Sequence, residues 1–413
     1  MGIAALSLFG CSQKKTITDD SAWLRNGIET AQFQLKMTAE AIDSKNIQDT
    51  AVFPRSILNP KPMAEKNPQN WIDSLRLEKP RDWTSGFFPG SMWLAYELTG
   101  DDTLKQEARK YTELLSDLQY YTGTHDLGFM VFCSFGNAYR LAPEAGDSAI
   151  IVNASKSLAS RYNPQKGVIR SWDFGEWTYP VIIDNMMNLE MLFWASQATQ
   201  DSTFRNIAIT HADNTMKFHY RPDMSCCHVV DYIDPTNDIT KQMTYQGYSD
   251  SSTWARGQAW GLYGYTLCFE ETNHSAYLER AQQIAKFIME NPAIPEDLIP
   301  YWDYNAPTIP DAPRDASAAA VTASALFELS TLVENGQTYF DYAEKIIKEL
   351  STPNYLAEKG TNNGFILKHS TGSLPHGSEI DVPLNYADYY YLEALKRYIK
   401  LKNIDSKALL SQK

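Results

Sequence analysis

Apolar and polar positions along this chain recur mostly at a helical period. Five stretches share one pattern: Asp101–Ala108, Asp147–Ala154, Asp201–Ala208, His274–Ala281 and Gly336–Ala343. Each opens in a polar turn, carries an apolar residue three positions in, and places an alanine four residues later, on the same helix face. Each follows an apolar or aromatic run: Gly90–Leu98, Met130–Leu141, Met186–Ala198, Gln258–Glu270 and Ala316–Val333. The unit is a helical hairpin with an apolar inner helix, a tight turn and an amphipathic outer helix.

The repeats are too unevenly spaced for a standard solenoid. Apolar inner helices cannot face water, and closing the array into a ring buries them best. Adding an N-terminal helix over Ala22–Ala41 and a last one over Asn385–Leu401 allows about six hairpins. The expected fold is all-α, an (α/α)6 toroid in one domain over residues 21–405, with an open superhelix as the alternative. Residues 406–413 read as a tail. In such a toroid the loops entering the inner helices form one rim around a central cleft.

Net charge of −13 argues against nucleic acid or an anionic membrane surface as partner. With 10 Trp and 24 Tyr, the chain is rich in flat rings with a polar edge, which suit sugars. The five cysteines are scattered and form no disulfide framework. Cys226-Cys227-His228, with His211 and His219 upstream, matches no standard zinc spacing. Residues 1–11 resemble a bacterial lipoprotein signal: a short apolar run ends at Cys11, although a positive start is missing. Residues 12–20 then read as a linker, and the expected location is periplasmic with a lipid anchor.

Two carboxylates stand out on the predicted rim. Asp184 follows Val181-Ile182-Ile183 and precedes Met186 and Met187, which reads as a helix entering the interior with an acid at its mouth. Asp126, in His125-Asp126-Leu127-Gly128, repeats the arrangement. Helix capping is the plain alternative for such an Asp. For acid catalysis one of the pair must hold a proton near neutral pH, and burial favours that. The more apolar setting makes Asp184 the proton donor and Asp126 the better solvated partner. Arg256 and His228 can hold a substrate carboxylate, Trp83, Trp172 and Trp260 can stack on sugar rings, and Gln246 can position a water or hydroxyl. A salt bridge is the competing role for Arg256, and Asp173, Glu176 and Asp231 are lesser acid candidates.

The chain resembles the unsaturated glucuronyl hydrolases, glycoside hydrolase family 88. The resemblance rests on Trp83-Thr-Ser-Gly-Phe-Phe-Pro-Gly90, His125-Asp-Leu-Gly-Phe129, Ile183-Asp-Asn-Met186, the specific stretch Gln246 to Trp260, Ser378 to Pro383, and Tyr386 to Tyr390. It implies an (α/α)6 fold without metal or organic cofactor. The implied reaction removes the Δ4,5-unsaturated uronic acid that polysaccharide lyases leave at a non-reducing end. In it an acid protonates C4 of the vinyl ether, water attacks C5, and the hemiketal opens to release the aglycone. The resemblance gives the acid role to Asp184, the assisting acid to Asp126, and sugar contacts to Trp83, His125, Trp172, His228, Gln246, Arg256 and Trp260. Some members bind sulfate through Ser-x-x-Ser-x-Lys. Here Ser370 and Ser373 remain but Pro375 replaces the lysine, with Lys368 as a substitute. Expected partners are unsaturated chondroitin, hyaluronan or heparin oligosaccharides. The alternatives are the sister reaction on unsaturated rhamnogalacturonan and a non-catalytic glycan-binding lipoprotein.

Overall fold

The computed structural model describes residues 21–45, 51–58, 70–234 and 239–411. The expected signal and linker, including Cys11, lie outside these residues. In chain order, outer helix α1 (Ala22–Ser44) precedes inner α2 (Phe87–Thr99), outer α3 (Asp102–Glu113) and inner α4 (Asn137–Leu141). Outer α5 (Asp147–Ala159), inner α6 (Leu189–Thr199), outer α7 (Ser202–Phe218) and inner α8 (Ala255–Thr272) follow. Outer α9 (Ser275–Glu290), inner α10 (Ala316–Leu332), outer α11 (Gln337–Leu350) and inner α12 (Asn385–Lys402) complete the set. A nine-residue π segment, Gly128–Gly136, leads into α4, and a 3-10 turn, Ile183–Asn188, leads into α6.

The inner elements touch in sequence: α2 packs on the π segment, which meets α6. Then α6 meets α8, α8 meets α10, α10 meets α12, and α12 returns to α2. That closure makes the array a toroid and excludes the open superhelix. The sixth hairpin is split between the chain ends, with α1 packed against both α2 and α12. The repeat alanines Ala108, Ala154, Ala208, Ala281 and Ala343 are all fully buried, where outer helices meet inner ones. The apolar position before them is buried at Leu104, Phe204 and Tyr277. In two repeats it slips by one residue, to Ile151 and Phe340. Asp101 and Asp201 cap their outer helices through the amides of Thr103 and Thr203, as polar turns of this kind should.

Two readings need correction. Most of the expected tail is ordered structure: Ser406–Ser411 form α13, which packs on α1 and α2 with Leu409 fully buried, and the last two residues lie outside the described ones. The apolar ramp before Asp184 is not helical either. Pro180–Ile182 form strand β5, in an antiparallel sheet with β6 (Val229–Asp234) and β7 (Ile239–Met243). Val181 and Ile182 have β-branched side chains buried on a sheet, which suits a strand better than a helix. These three, with the paired β1 (Phe53–Ile57) and β2 (Leu75–Glu78) and the short β3 (Tyr162–Asn163) and β4 (Val168–Ile169), lie in the connections between helices.

Candidate active site

Strand pairing brings the first catalytic candidate to its neighbour. Val181 opposes Val230 and Ile182 opposes Val229, so the next backbone bond joins Ile183 N–H to the carbonyl of His228. Asp184 therefore emerges beside His228, with its Oδ1 3.5 Å from His228 Nε2. The neighbouring strand fixes the imidazole. Val229 opposes Met243, so the residues just past β7 reach back, and the amides of Tyr245 and Gln246 both donate to His228 Nδ1 at 3.1 Å. An Nδ1 that accepts two N–H groups leaves the ring proton of the neutral imidazole on Nε2, pointing at Asp184.

Ser171 carries the second carboxylate to the first. Its carbonyl accepts His125 N–H and its hydroxyl accepts Ile182 N–H. Gly128 then permits the close approach: a Cβ there would lie 2.6 Å from the Asn188 backbone, in the turn that holds Asp184. Asp126 sits against His125 Nε2 at 3.2 Å and accepts from the Thr124 hydroxyl at 2.7 Å. The π segment that begins two residues later is a form often found at functional sites.

Asp184 does not cap a helix: it is the second residue of the 3-10 turn Ile183–Asn188, whose N-cap position is Ile182, and no side chain caps that turn. The expected order of exposure holds, at 9% for the Asp184 side chain and 17% for that of Asp126. Burial is the largest influence on Asp126 and pushes its carboxyl above the usual range; the Asp184 charge adds to this, while His125 and Thr124 oppose it. Burial likewise holds His125 below its ordinary value, against Asp126 and Asp184. A neutral His125 cannot lock Asp126 into an ion pair.

Buried polar atoms normally find partners. Orphaned atoms are spread through the molecule, as at Ser56, Tyr111, His211 and Tyr220, and six of them are His125 Nδ1, Trp172 Nε1, Asp184 Oδ1, His228 Nε2, Trp260 Nε1 and Ser370 Oγ. All six belong to residues singled out by the sequence, and a polar ligand would satisfy them. Trp83 is half-buried against Phe129 and Tyr386, and Gln246 Nε2 donates to the Gly372 carbonyl.

Other expectations change. Arg256 is only 1% exposed, and its guanidinium donates to Asp315, Thr371 O and Gly372 O at 2.6–2.7 Å. It thus clamps the C-terminal loop to α8 and α10, so the salt-bridge role replaces that of a free carboxylate receptor. Trp260 is fully buried between Phe129 and Tyr390, so it supplies an indole N–H and no open stacking face. Lys368 does not stand in for the missing lysine: its ammonium donates to Pro353 O. Ser373 instead meets His376 Nδ1 at 2.6 Å. Asp173 pairs with Arg161 and Arg170, and Asp231 accepts the amides of Thr178 and Tyr179, so both are structural. The thiols of Cys226 and Cys227 donate to carbonyls, and burial pushes the Cys227 thiol up to about 12, which leaves it un-ionised. Among the described residues no group of three or more His, Cys, Asp or Glu could hold a metal ion.

The sequence reading missed Asp315, which answers Arg256 and caps α10, and the linked charges Arg55, Asp82 and Glu379 beside Trp83. Asp315, directly before the alanine-rich run of α10, carried a readable capping signal. Arg55 and Glu379 are 324 positions apart, and nothing local marks them as a pair.

Residues 58–399 match the family model described as Glycosyl Hydrolase Family 88. The chain is 48% identical over 320 residues to the unsaturated glucuronyl hydrolase of Formosa agariphila, covering 77% of this chain and 80% of that one. It is 34% identical over 334 residues to the unsaturated chondroitin disaccharide hydrolase of Streptococcus pyogenes serotype M1, covering 77% and 82%. A solved unsaturated glucuronyl hydrolase specific for heparin superposes with a TM-score of 0.87 at 49% identity, covering 94% of this chain and all of that one. With family model, relatives and fold in agreement, this chain belongs to glycosyl hydrolase family 88.

Proposed function

We propose that the protein is an unsaturated glucuronyl hydrolase acting on glycosaminoglycan-type oligosaccharides that end in a Δ4,5-unsaturated uronic acid. The observation that carries this reading is the buried Asp184 and the half-buried Asp126, with orphaned polar atoms nearby on His125, Trp172, His228 and Trp260.

Asp184 gives its carboxyl proton to C4, and the C4–C5 π electrons form the new C–H bond. The positive charge that appears at C5 is shared with the ring oxygen. Water attacks C5, and its proton passes to the Asp184 carboxylate, which restores the acid. The C5 hydroxyl proton then passes to the ring oxygen as the C5–O bond breaks to leave a C5 ketone; the hemiacetal so formed at C1 collapses to an aldehyde, its hydroxyl proton passing to the aglycone oxygen, which leaves as an alcohol. His228 Nε2–H, 3.5 Å from Asp184, is just beyond hydrogen-bond reach in the free protein and closes once the carboxylate is charged. Asp126, held protonated more readily than an ordinary carboxyl, can donate to an acceptor on the same sugar. With Arg256 engaged elsewhere, the substrate carboxylate falls to neutral N–H donors such as that of the Trp260 indole.

The relative of known structure specific for heparin favours heparin-type over chondroitin-type disaccharides here. A panel of unsaturated disaccharides, heparin, chondroitin and rhamnogalacturonan in type, tests this by loss of the ultraviolet absorbance of the conjugated double bond. Fastest turnover is expected on the heparin type. Turnover of the rhamnogalacturonan type alone would sink the reading in favour of the sister reaction.

A further inference from the structure

The ring expected to stack on sugar is enclosed. Trp172 is 9% exposed: Phe174 lies nearly parallel on it at 5.0 Å and 17°, and Trp177 and Tyr245 crowd it at 5.2 and 5.4 Å. The ring that looks outward is Phe174, 53% exposed. This cluster is continuous with the acid site, because Trp172 packs on Ile182 and Val229, which flank Ile183-Asp184 and His228. It continues outward from Tyr245 to His376, whose rings are 4.2 Å apart, and on to the Ser373 hydroxyl.

Two observations point to a ligand here. The indole N–H of the buried Trp172 has no partner, so the inner end of the cluster awaits an acceptor. At the outer end a large apolar ring stays in water although three aromatic neighbours stand beside it. Trp172 is packed directly against the strands that carry the acid site, so it belongs to the first aglycone sugar. Phe174 stands one ring farther out.

Resting on the hydrolase reading, we propose that Phe174, backed by Trp172 and flanked by Tyr245 and His376, forms an outer subsite that stacks on the second aglycone pyranose. The enzyme therefore favours oligosaccharides with two or more aglycone sugars over disaccharides. An aromatic face adds roughly a factor of ten in affinity when it stacks.

The test compares kcat/KM on an unsaturated disaccharide and on the tetrasaccharide of the same backbone. Wild type is expected to favour the tetrasaccharide about tenfold, mainly through KM. In Phe174→Ala the ratio should fall to about one, and in Phe174→Tyr, which keeps the ring, it should persist. Equal wild-type values for the two substrates, or an unchanged ratio in Phe174→Ala, overturn the subsite while leaving the hydrolase intact. No turnover of either substrate by folded wild-type protein overturns the hydrolase reading and the subsite with it.

Discussion

Asp184→Asn is expected to lower kcat by about a thousandfold with little change in substrate binding. The amide keeps the size and polarity of the carboxyl, so the contact with His228 and the packing of the 3-10 turn survive. It has no proton acidic enough to give to carbon. Removing a positioned acid typically costs two to four orders of magnitude, and here the same carboxylate must also recover a proton from water. Steady-state loss of double-bond absorbance gives the rate, and calorimetric titration with the unsaturated disaccharide gives the binding. Retention of a tenth of wild-type kcat would remove Asp184 from the chemistry.

Asp315→Ala is expected to destabilise the protein by about 3–5 kcal/mol. Arg256 is fully buried, and Asp315 is the one carboxylate that answers its charge within 4 Å among the described residues. Its loss leaves a guanidinium in a low dielectric with carbonyls, a hydroxyl and the rings of Trp254 and Tyr386 around it but no contacting carboxylate among the described residues. The substitution also uncaps α10, where Asp315 Oδ1 accepts from Ser317 N–H and its hydroxyl. Urea denaturation would measure the change from the shift in midpoint at constant slope. A shift equivalent to less than about 1 kcal/mol would mean that the pair is not the clamp described. In Arg256→Met, where both the charge and its burial cost disappear, a smaller loss of stability is expected.

These two residues show where the sequence is legible. Asp184 could be found because apolar residues surround it on both sides, and burial of a local run is a local property. The strand pairing that sets Ile183 opposite His228 links positions 45 apart and leaves no periodic trace, so the ramp looked like a helix entry. The helical hairpins were readable for the opposite reason. Leu104 with Ala108, and Phe204 with Ala208, lie four apart on one helix face, and both members of each pair are buried. Even the open question of ring or superhelix turned on the contact between α12 and α2, which no local pattern encodes.

Arg256 and Trp260 illustrate a different limit. Residue type singled out a cation and a large ring at the start of α8, but not which way their polar atoms point. Arg256 turned to Asp315, 59 positions on, and Trp260 turned its faces to Phe129 and Tyr390. The raised proton affinity of Asp126 comes from neighbours in space, which its place in the sequence does not show. Phe174 went unmarked since one aromatic in a loop of several has no distinctive spacing.

The central claim is that the proton goes to carbon and not to the glycosidic oxygen. The most direct measurement is a single turnover of the unsaturated disaccharide in deuterium oxide, quenched before the product ketone can exchange its neighbouring hydrogens. Protonation at carbon should leave one deuterium on a single face of C4 in the released sugar, formed in step with the aglycone. Aglycone released while C4 carries no deuterium and the double bond is still intact would contradict it.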